Sequence, residues 1–130
     1  MLEDNVVLNN KTVFVTGVAG FIGSNLAKRL LKEFEGVKVV GIDNMNDYYD
    51  VSIKEWRLKE LSSNPSFTFV KGSIADKDTV TNIFNTYQPS VVVNLAAQAG
   101  VRYSITNPDA YVEANLIGFY NILEACRHSY

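Results

Sequence analysis

Residues 11–23 read KTVFVTGVAGFIG, an apolar, β-branched run from Lys11 to Thr16 that passes directly into three glycines, Gly17, Gly20 and Gly23, at GxxGxxG spacing. A run of this length suits a buried strand, and glycine is the residue that turns a chain tightly at a strand's end. Beyond it Ile22, Leu26, Leu30 and Phe34 recur every four residues, with Lys28, Arg29, Lys32 and Glu33 between them. That period predicts an amphipathic helix ending near Gly36. In such a strand, turn and helix unit Gly17 permits the tight turn, Gly20 lets backbone approach a pyrophosphate with no Cβ in the way, and Gly23 lets helix pack on strand. The helix start adds unpaired N–H groups and a partial positive charge.

Working outward, Val37–Ile42 (VKVVGI) predicts a second buried strand, closed by Asp43 and Asn44, and the polar NMNDYYD that follows predicts a surface loop. Ile53, Trp56 and Leu61 suggest a short helix, and Phe67–Lys71 (FTFVK) a third strand. Asp76 is placed to cap a helix in which Val80, Ile83, Phe84 and Tyr87 fall at i, i+3, i+4 and i+7, before Pro89. Ser90–Leu95 (SVVVNL) reads as strand four and AAQAGVRYSITN as a small-residue loop. Asn107 and Pro108 then start a helix, as cap and first helical position, whose apolar content runs to Cys126. Strands alternating with helices imply the α/β class with parallel pairing and right-handed crossovers. The order 3-2-1-4 makes this just over half of a dinucleotide-binding sheet.

At 130 residues the chain is about one domain, and residues 1–130 are read as the N-terminal part of a nucleotide-binding domain with no second domain. Its 47% hydrophobic and 20% charged content is that of a chain that folds. A net charge of −2 with no basic stripe argues against a nucleic-acid partner. The N-terminus has no leader pattern and no segment is apolar for long enough to span a bilayer, so a cytoplasmic location is the default. Lone Cys126 and lone His128 offer neither an internal disulfide nor a metal site, and read as a core cysteine and a surface histidine.

Asp43 lies 20 residues past Gly23, at the end of the second strand. There a carboxylate can accept both hydroxyls of an adenosine ribose, and it would repel a 2′-phosphate. No arginine sits beside it in the sequence, so NAD is favoured over NADP. As a bare turn residue Asp43 would need no ligand, since Asp-Asn is good turn chemistry. The glycines and the carboxylate together carry the nucleotide reading.

These motifs resemble the extended short-chain dehydrogenases/reductases, the NAD-dependent epimerase/dehydratase family, whose glycine pattern is TGxxGxxG. Within it the chain is most similar to the N-terminal half of the UDP-glucuronate 4-epimerases. Three runs carry this: TGVAGFIGSNLAKRLL from Thr16, DNMNDYYDVSIKEWRL from Asp43, and NLAAQAGVRYSITNPDAYVEANLIGFYNILEACRH from Asn94. The resemblance implies a Rossmann-type sheet and places Gly17, Gly20, Phe21, Ile22 and Gly23 at the pyrophosphate and Asp43 and Asn44 at the adenosine ribose. It places Ser73 and Ile74 at the adenine, and Leu95, Ala96, Ala97 and Ala99 beneath the cofactor. Arg102, Tyr103 and Ser104 would face a UDP-sugar, and Asn115 would hold backbone or touch ligand. Two positions depart from the pattern: Ser73 stands where an aspartate is usual, and Asn94 where histidine is common.

In that family a tyrosine of a YxxxK motif removes the sugar hydroxyl proton while C4 yields hydride to NAD, giving a 4-keto sugar that takes the hydride back on its other face. No tyrosine among these 130 residues has a lysine four positions later. The chain is therefore expected to end before strand five and to lack catalytic competence alone, general-base chemistry needing a base in reach. The alternatives are a standalone dinucleotide-binding module, or part of a related sugar-nucleotide dehydratase or reductase. Ala110, Ala114, Leu116, Ile117, Phe119, Tyr120 and Leu123 make the last helix apolar on more than one side. Homo-oligomerisation through that 108–128 helix, or through the edge of strand four, is the expected consequence.

Overall fold

The computed structural model describes residues 7–47 and 50–130. The leader reading at the N-terminus rests partly on residues 1–6, and the loop reading at NMNDYYD on Tyr48 and Tyr49, which lie outside the described residues.

Strands β1 (Thr12–Thr16), β2 (Lys38–Asp43), β3 (Phe67–Lys71) and β4 (Val91–Asn94) form one parallel sheet in the order β3-β2-β1-β4, the pairing expected from the alternation and the order expected of a dinucleotide-binding sheet. Side chains alternate across a strand, so one face of β1 presents Val13 and Val15 and the other presents Phe14. Helices α1 (Phe21–Glu33) and α2 (Val51–Ser62) cover the first face, where Val13, Val15 and Val39 pack with Ala27, Leu30 and Leu61. Helix α3 (Lys77–Tyr87) and the C-terminal helix cover the second, where Phe14, Val40 and Ile42 meet Val80, Ile83, Phe84 and Ile122. Phe14 and Phe84 meet edge to face at 5.8 Å between centroids, a pairing worth about 0.5–1.5 kcal/mol beyond its area. With both faces covered, continuous apolar runs are what such strands require.

Several elements differ from expectation. Of the fourfold apolar row on α1, Leu30 is buried and Leu26 and Phe34 pack against the same core, beside Gly23 and Ala27, whereas Ile22 is exposed at the helix start. On α2 the residues turned inward are Lys54 and Leu61, with Leu58 between them, whereas Ile53 and Trp56 are exposed. The stripe runs i, i+4, i+7 with a lysine at its head, and a lysine is the residue that apolar periodicity passes over. Within the expected loop, Tyr103–Thr106 forms a short helix, α4.

The last helix is not one α-helix. Helix α5 (Pro108–Tyr111) opens into a π-helical segment, Val112–Gly118, and closes again as α6 (Phe119–Ser129). Asn107 caps it, with its side chain accepting from the Ala110 N–H at 3.4 Å. Gly118 allows the widened turn to lie on Ile74, since any Cβ there would be driven into the Ile74 side chain. Leu116, Phe119, Tyr120 and Leu123 are exposed, and Cys126 is partly buried against the second core cluster. Burial pushes the Cys126 thiol up, which keeps it protonated as a core cysteine is.

Candidate functional site

In an open parallel sheet the ligand crevice lies outside the carboxyl ends of the strands, where the strand order reverses. Here β1 sits between β2 and β4, and the loops leaving all four strands border a cleft of about 370 Å³. The glycine turn forms its floor. The Gly17 and Val18 N–H groups both donate to the Ile42 carbonyl, at 2.9 and 3.2 Å, which closes the β1 exit against β2. Gly17 has φ +68°, and a Cβ there would come within 3.0 Å of the Ala96 backbone nitrogen. Glycine is needed at this point because the chain is left-handed and a second backbone lies against it. At Gly20 a Cβ would meet one atom, the Gly17 carbonyl oxygen, at a tight 3.2 Å. The first turn of α1 carries no acidic residue and no capping side-chain bond.

Asp43 is buried at the end of β2 and its carboxylate is held from three directions. Oδ2 accepts from the Ala19 N–H at 3.1 Å, Oδ1 accepts from the Met45 N–H at 2.8 Å, and the Lys54 ammonium stands 3.4 Å from Oδ1. Helix α2 supplies that ammonium, and one turn later supplies Arg57, which donates to the Ala19 carbonyl at 3.1 Å. The Ala19 peptide in the glycine turn is thus gripped at its N–H by Asp43 and at its carbonyl by Arg57. The same guanidinium lies 5.9 Å from the Phe21 ring centroid.

The opposite wall comes from the chain after β4. The Thr16 hydroxyl, fully buried, donates to Asn94 and accepts from the Leu95 and Ala96 N–H groups at 2.9 and 3.0 Å. Asn94, the departure from histidine, therefore ties β4 to β1. Within the π segment the Asn115 amide pairs with the backbone of Gln98, accepting from its N–H at 2.9 Å and donating to its carbonyl at 3.3 Å. Gln98 in turn accepts from the Asn46 side chain at 3.3 Å. On the third side Asn121 donates to the Ile74 carbonyl at 2.8 Å. Ser73 uses its hydroxyl to accept from the Ala75 N–H at 3.1 Å, as a turn residue.

Of the positions singled out in the sequence, Gly17, Gly20, Asp43, Asn44, Ser73 and Ile74 line the cleft, together with Leu95, Ala96, Ala97, Ala99 and Tyr103. Phe21, Ile22, Gly23, Arg102 and Ser104 do not. Phe21 and Ile22 are exposed at the start of α1, where a helix offers a ligand its backbone N–H groups rather than its side chains. Gly23 lies behind the turn, where a Cβ would run into the Gly17 carbonyl. Arg102 is exposed beside α4, and the Ser104 hydroxyl is turned back onto the Val101 carbonyl. Among the residues that sequence reading missed are Lys54, Arg57, Gln98 and Asn121. None left a signal that apolar periodicity reads, Lys54 at the head of the Lys54, Leu58, Leu61 stripe included.

A family model described as GDP-mannose 4,6 dehydratase matches residues 14–130. The chain is 54% identical over 116 residues to protein CapI of Staphylococcus aureus, covering 89% of this chain and 34% of that protein. It is 50% identical over 110 residues to the UDP-glucuronate 4-epimerase of Thermodesulfobacterium geofontis, covering 85% of this chain and 33% of that one. Among solved structures, the UDP-glucuronic acid 4-epimerase of Bacillus cereus, in complex with UDP-glucuronic acid and NAD, superposes with a TM-score of 0.81 at 36% identity, over 90% of this chain and 36% of that one. The Bordetella bronchiseptica enzyme WbmH in complex with NAD+ gives 0.74 at 34% identity, over 92% and 36%. The chain therefore spans about a third of the length of the relatives it matches.

Proposed function

We propose a function from one premise, that the chain belongs to the GDP-mannose 4,6 dehydratase family: it is the NAD-binding portion of a nucleotide-sugar 4-epimerase acting on a UDP-sugar of the glucuronate type. The observation that carries this reading is the juxtaposition, in one cleft, of the glycine turn with a buried carboxylate at the end of β2. The residues fit a dinucleotide. Gly20 lines the floor with backbone and no side chain, and the Leu95–Ala99 wall is made largely of small residues. In this reading Gly17, Gly20 and the α1 start receive the pyrophosphate, Asp43 and Asn44 hold the adenosine ribose, and Ser73 and Ile74 border the adenine. Tyr103 faces the sugar nucleotide, with Arg102 and Ser104 close by in sequence but outside the present wall. NAD would supply the hydride acceptor for oxidation at C4. A YxxxK base is absent from these 130 residues, so the chain's own share is binding and orientation.

A calorimetric titration with NAD tests this. Saturable binding to the chain, lost in Asp43→Ala, is expected; a folded chain that gives no heat with NAD would sink the reading. The same proposal includes self-association through the apolar flank of the C-terminal helix, where Leu116, Phe119, Tyr120 and Leu123 are exposed, or through the outer edge of β4. Sedimentation velocity reads it directly, a monodisperse monomer at tens of micromolar counting against it. A cytoplasmic setting, without a nucleic-acid or membrane partner, completes the proposal. It is supported by the absence of a basic stripe, and by the finding that no helix among the described residues is long and apolar enough to cross a membrane.

A further inference from the structure

We propose that a second pocket, at the end of the strands opposite the glycine turn, binds a sugar phosphate. Lys38 meets the phosphate, and the hydroxyls of Thr12, Ser66, Thr68, Thr86 and Tyr87 meet the sugar. Nothing in this depends on what the cleft at the other end of the sheet binds.

Side chains two apart on a strand share a face. Phe14 and Val40 lie in the second core cluster, so Thr12 and Lys38, two residues before them, share that face at the starts of β1 and β2. The two are partners in register, and Thr68 pairs with Val40. Polar side chains therefore cluster on the amino end of a face that is otherwise apolar. Helix α3, which covers this face, ends at Tyr87, and Gln88 then turns left-handed at φ 47°. Between the helix end and the strand starts lies a pocket of about 350 Å³, bordered by Thr12, Lys38, Ser66, Thr68, Thr86 and Tyr87. Protein interiors leave few voids larger than a water molecule, and this volume falls within the range of small-molecule sites, which begins near 300 Å³.

The five hydroxyls and the Lys38 ammonium take part in no hydrogen bond or ion pair among the described residues. No side-chain nitrogen or oxygen among those residues is buried without a partner, so these groups are within reach of water and open to a ligand. Hydroxyls both donate and accept, as those of a sugar do. The last carbonyls of a helix lack intrahelical partners, so the end of α3 adds acceptors for sugar O–H groups. Lys38 is the one charged residue bordering the pocket, with no carboxylate beside it, which selects an anionic group. A helix C-terminus repels an anion, so the phosphate lies toward Lys38 on β2 and the ring toward Thr86 and Tyr87. One ammonium is a weak phosphate site by itself, and the ring must supply the rest. β1 is five residues long, which puts Thr12 about 13 Å from Thr16 and separates this pocket from the glycine turn.

The test is a titration of the isotope-labelled chain with glucose 1-phosphate, glucose and inorganic phosphate, followed by amide resonances in two-dimensional NMR. Glucose 1-phosphate is expected to give saturable shifts at Lys38, Thr68, Thr86 and Tyr87 while Gly17, Gly20 and Asp43 stay in place. Glucose and phosphate, each lacking half of the ligand, should bind at least about tenfold more weakly, the scale of one charge-assisted hydrogen bond. Lys38→Met should weaken glucose 1-phosphate by about tenfold and leave glucose unchanged. Thr68→Val, which keeps the shape and removes one hydroxyl, should weaken both sugars by about fivefold. Lys38 is exposed and Thr68→Val preserves a β-branched side chain, so both variants are expected to fold, and their thermal midpoints check it. An absence of saturable shifts, phosphate binding as tightly as glucose 1-phosphate, or an unchanged affinity in Lys38→Met overturns the proposal. Shifts confined to Gly17, Gly20 and Ala96 overturn it as well, since the sugar phosphate would then occupy the cleft. Each of these outcomes leaves the dinucleotide reading as it was, because NAD binding is measured separately.

Discussion

A methyl group added at Gly23 and one added at Gly20 meet different surroundings, although the two positions are three residues apart. At Gly23 it runs into the Gly17 carbonyl and lies 3.1 Å from Val18 Cα, all backbone, so α1 must lift from the β1 turn. Gly23→Ala is expected to cost about 1–3 kcal/mol, the usual range for overpacking, and to lower the thermal midpoint accordingly. At Gly20 the backbone is extended, with φ −72° and ψ 169°, and one carbonyl oxygen at 3.2 Å is the only neighbour. Gly20→Ala should cost less stability than Gly23→Ala, its one close contact being a carbonyl oxygen at 3.2 Å, and should weaken NAD binding, because the methyl projects where backbone must approach phosphate. Thermal unfolding beside NAD titration separates the two; equal loss of stability in both variants would contradict the assignment. These glycines, and Asp43, were legible in the sequence because their roles follow from local backbone geometry and from spacing. Lys54, Gln98 and Asn121 were not, because each acts on a backbone or side chain more than ten residues away or across the cleft, and no period encodes a partner.

Elements were legible in kind more than in detail. Parallel pairing followed from alternation and handedness, and the strand order from the dinucleotide-binding pattern of the glycine turn and Asp43, whereas the π segment had no sequence signature: Val112–Gly118 carries the same apolar content as the α-helix around it. What distinguishes it is tertiary. Asn115 must reach the Gln98 backbone while Gly118 lies on Ile74 and Asn121 reaches the Ile74 carbonyl, and a widened turn sets the phase that serves all three. Helix α3 shows the opposite case, a boundary fully legible in sequence. Asp76 accepts from the Asp78 and Thr79 N–H groups at 3.1 and 3.3 Å. Hydrogen bonding from Thr79, side chain and then backbone, holds the Asp76 carboxyl below its ordinary value of 3.8. A carboxyl lowered by folding stabilises above its unfolded pKa and ceases to as pH falls through the folded one. The gap in thermal midpoint between wild type and Asp76→Ala should therefore be full at about pH 7 and shrink below about pH 4. A gap that stays constant across that range would show that the carboxylate charge plays no part in the cap.

At the scale of the whole molecule, the two faces of the sheet are closed but the flank of the C-terminal helix is not. Leu116, Tyr120 and Leu123 fall at i, i+4 and i+7, with Phe119 beside them, all exposed. Replacing Leu116 and Leu123 together by lysine is expected to shift self-associated protein to monomer in sedimentation velocity while leaving the thermal midpoint of the monomer fold nearly unchanged, since neither side chain belongs to the core clusters. Association that survives the double substitution would point instead to the β4 edge. The strand order has a further consequence, in time rather than in space. Of the four described strands β1 stands third in the sheet but is made first, and its partner β4 is made last of the four, with 78 residues separating Thr16 from Asn94. At about 5–20 residues per second a ribosome needs roughly 4–16 s to bridge that interval. Through those seconds the backbone groups of Val13, Phe14 and Val15 that later pair with β4 form an open strand edge, the kind of template that another chain can pair with.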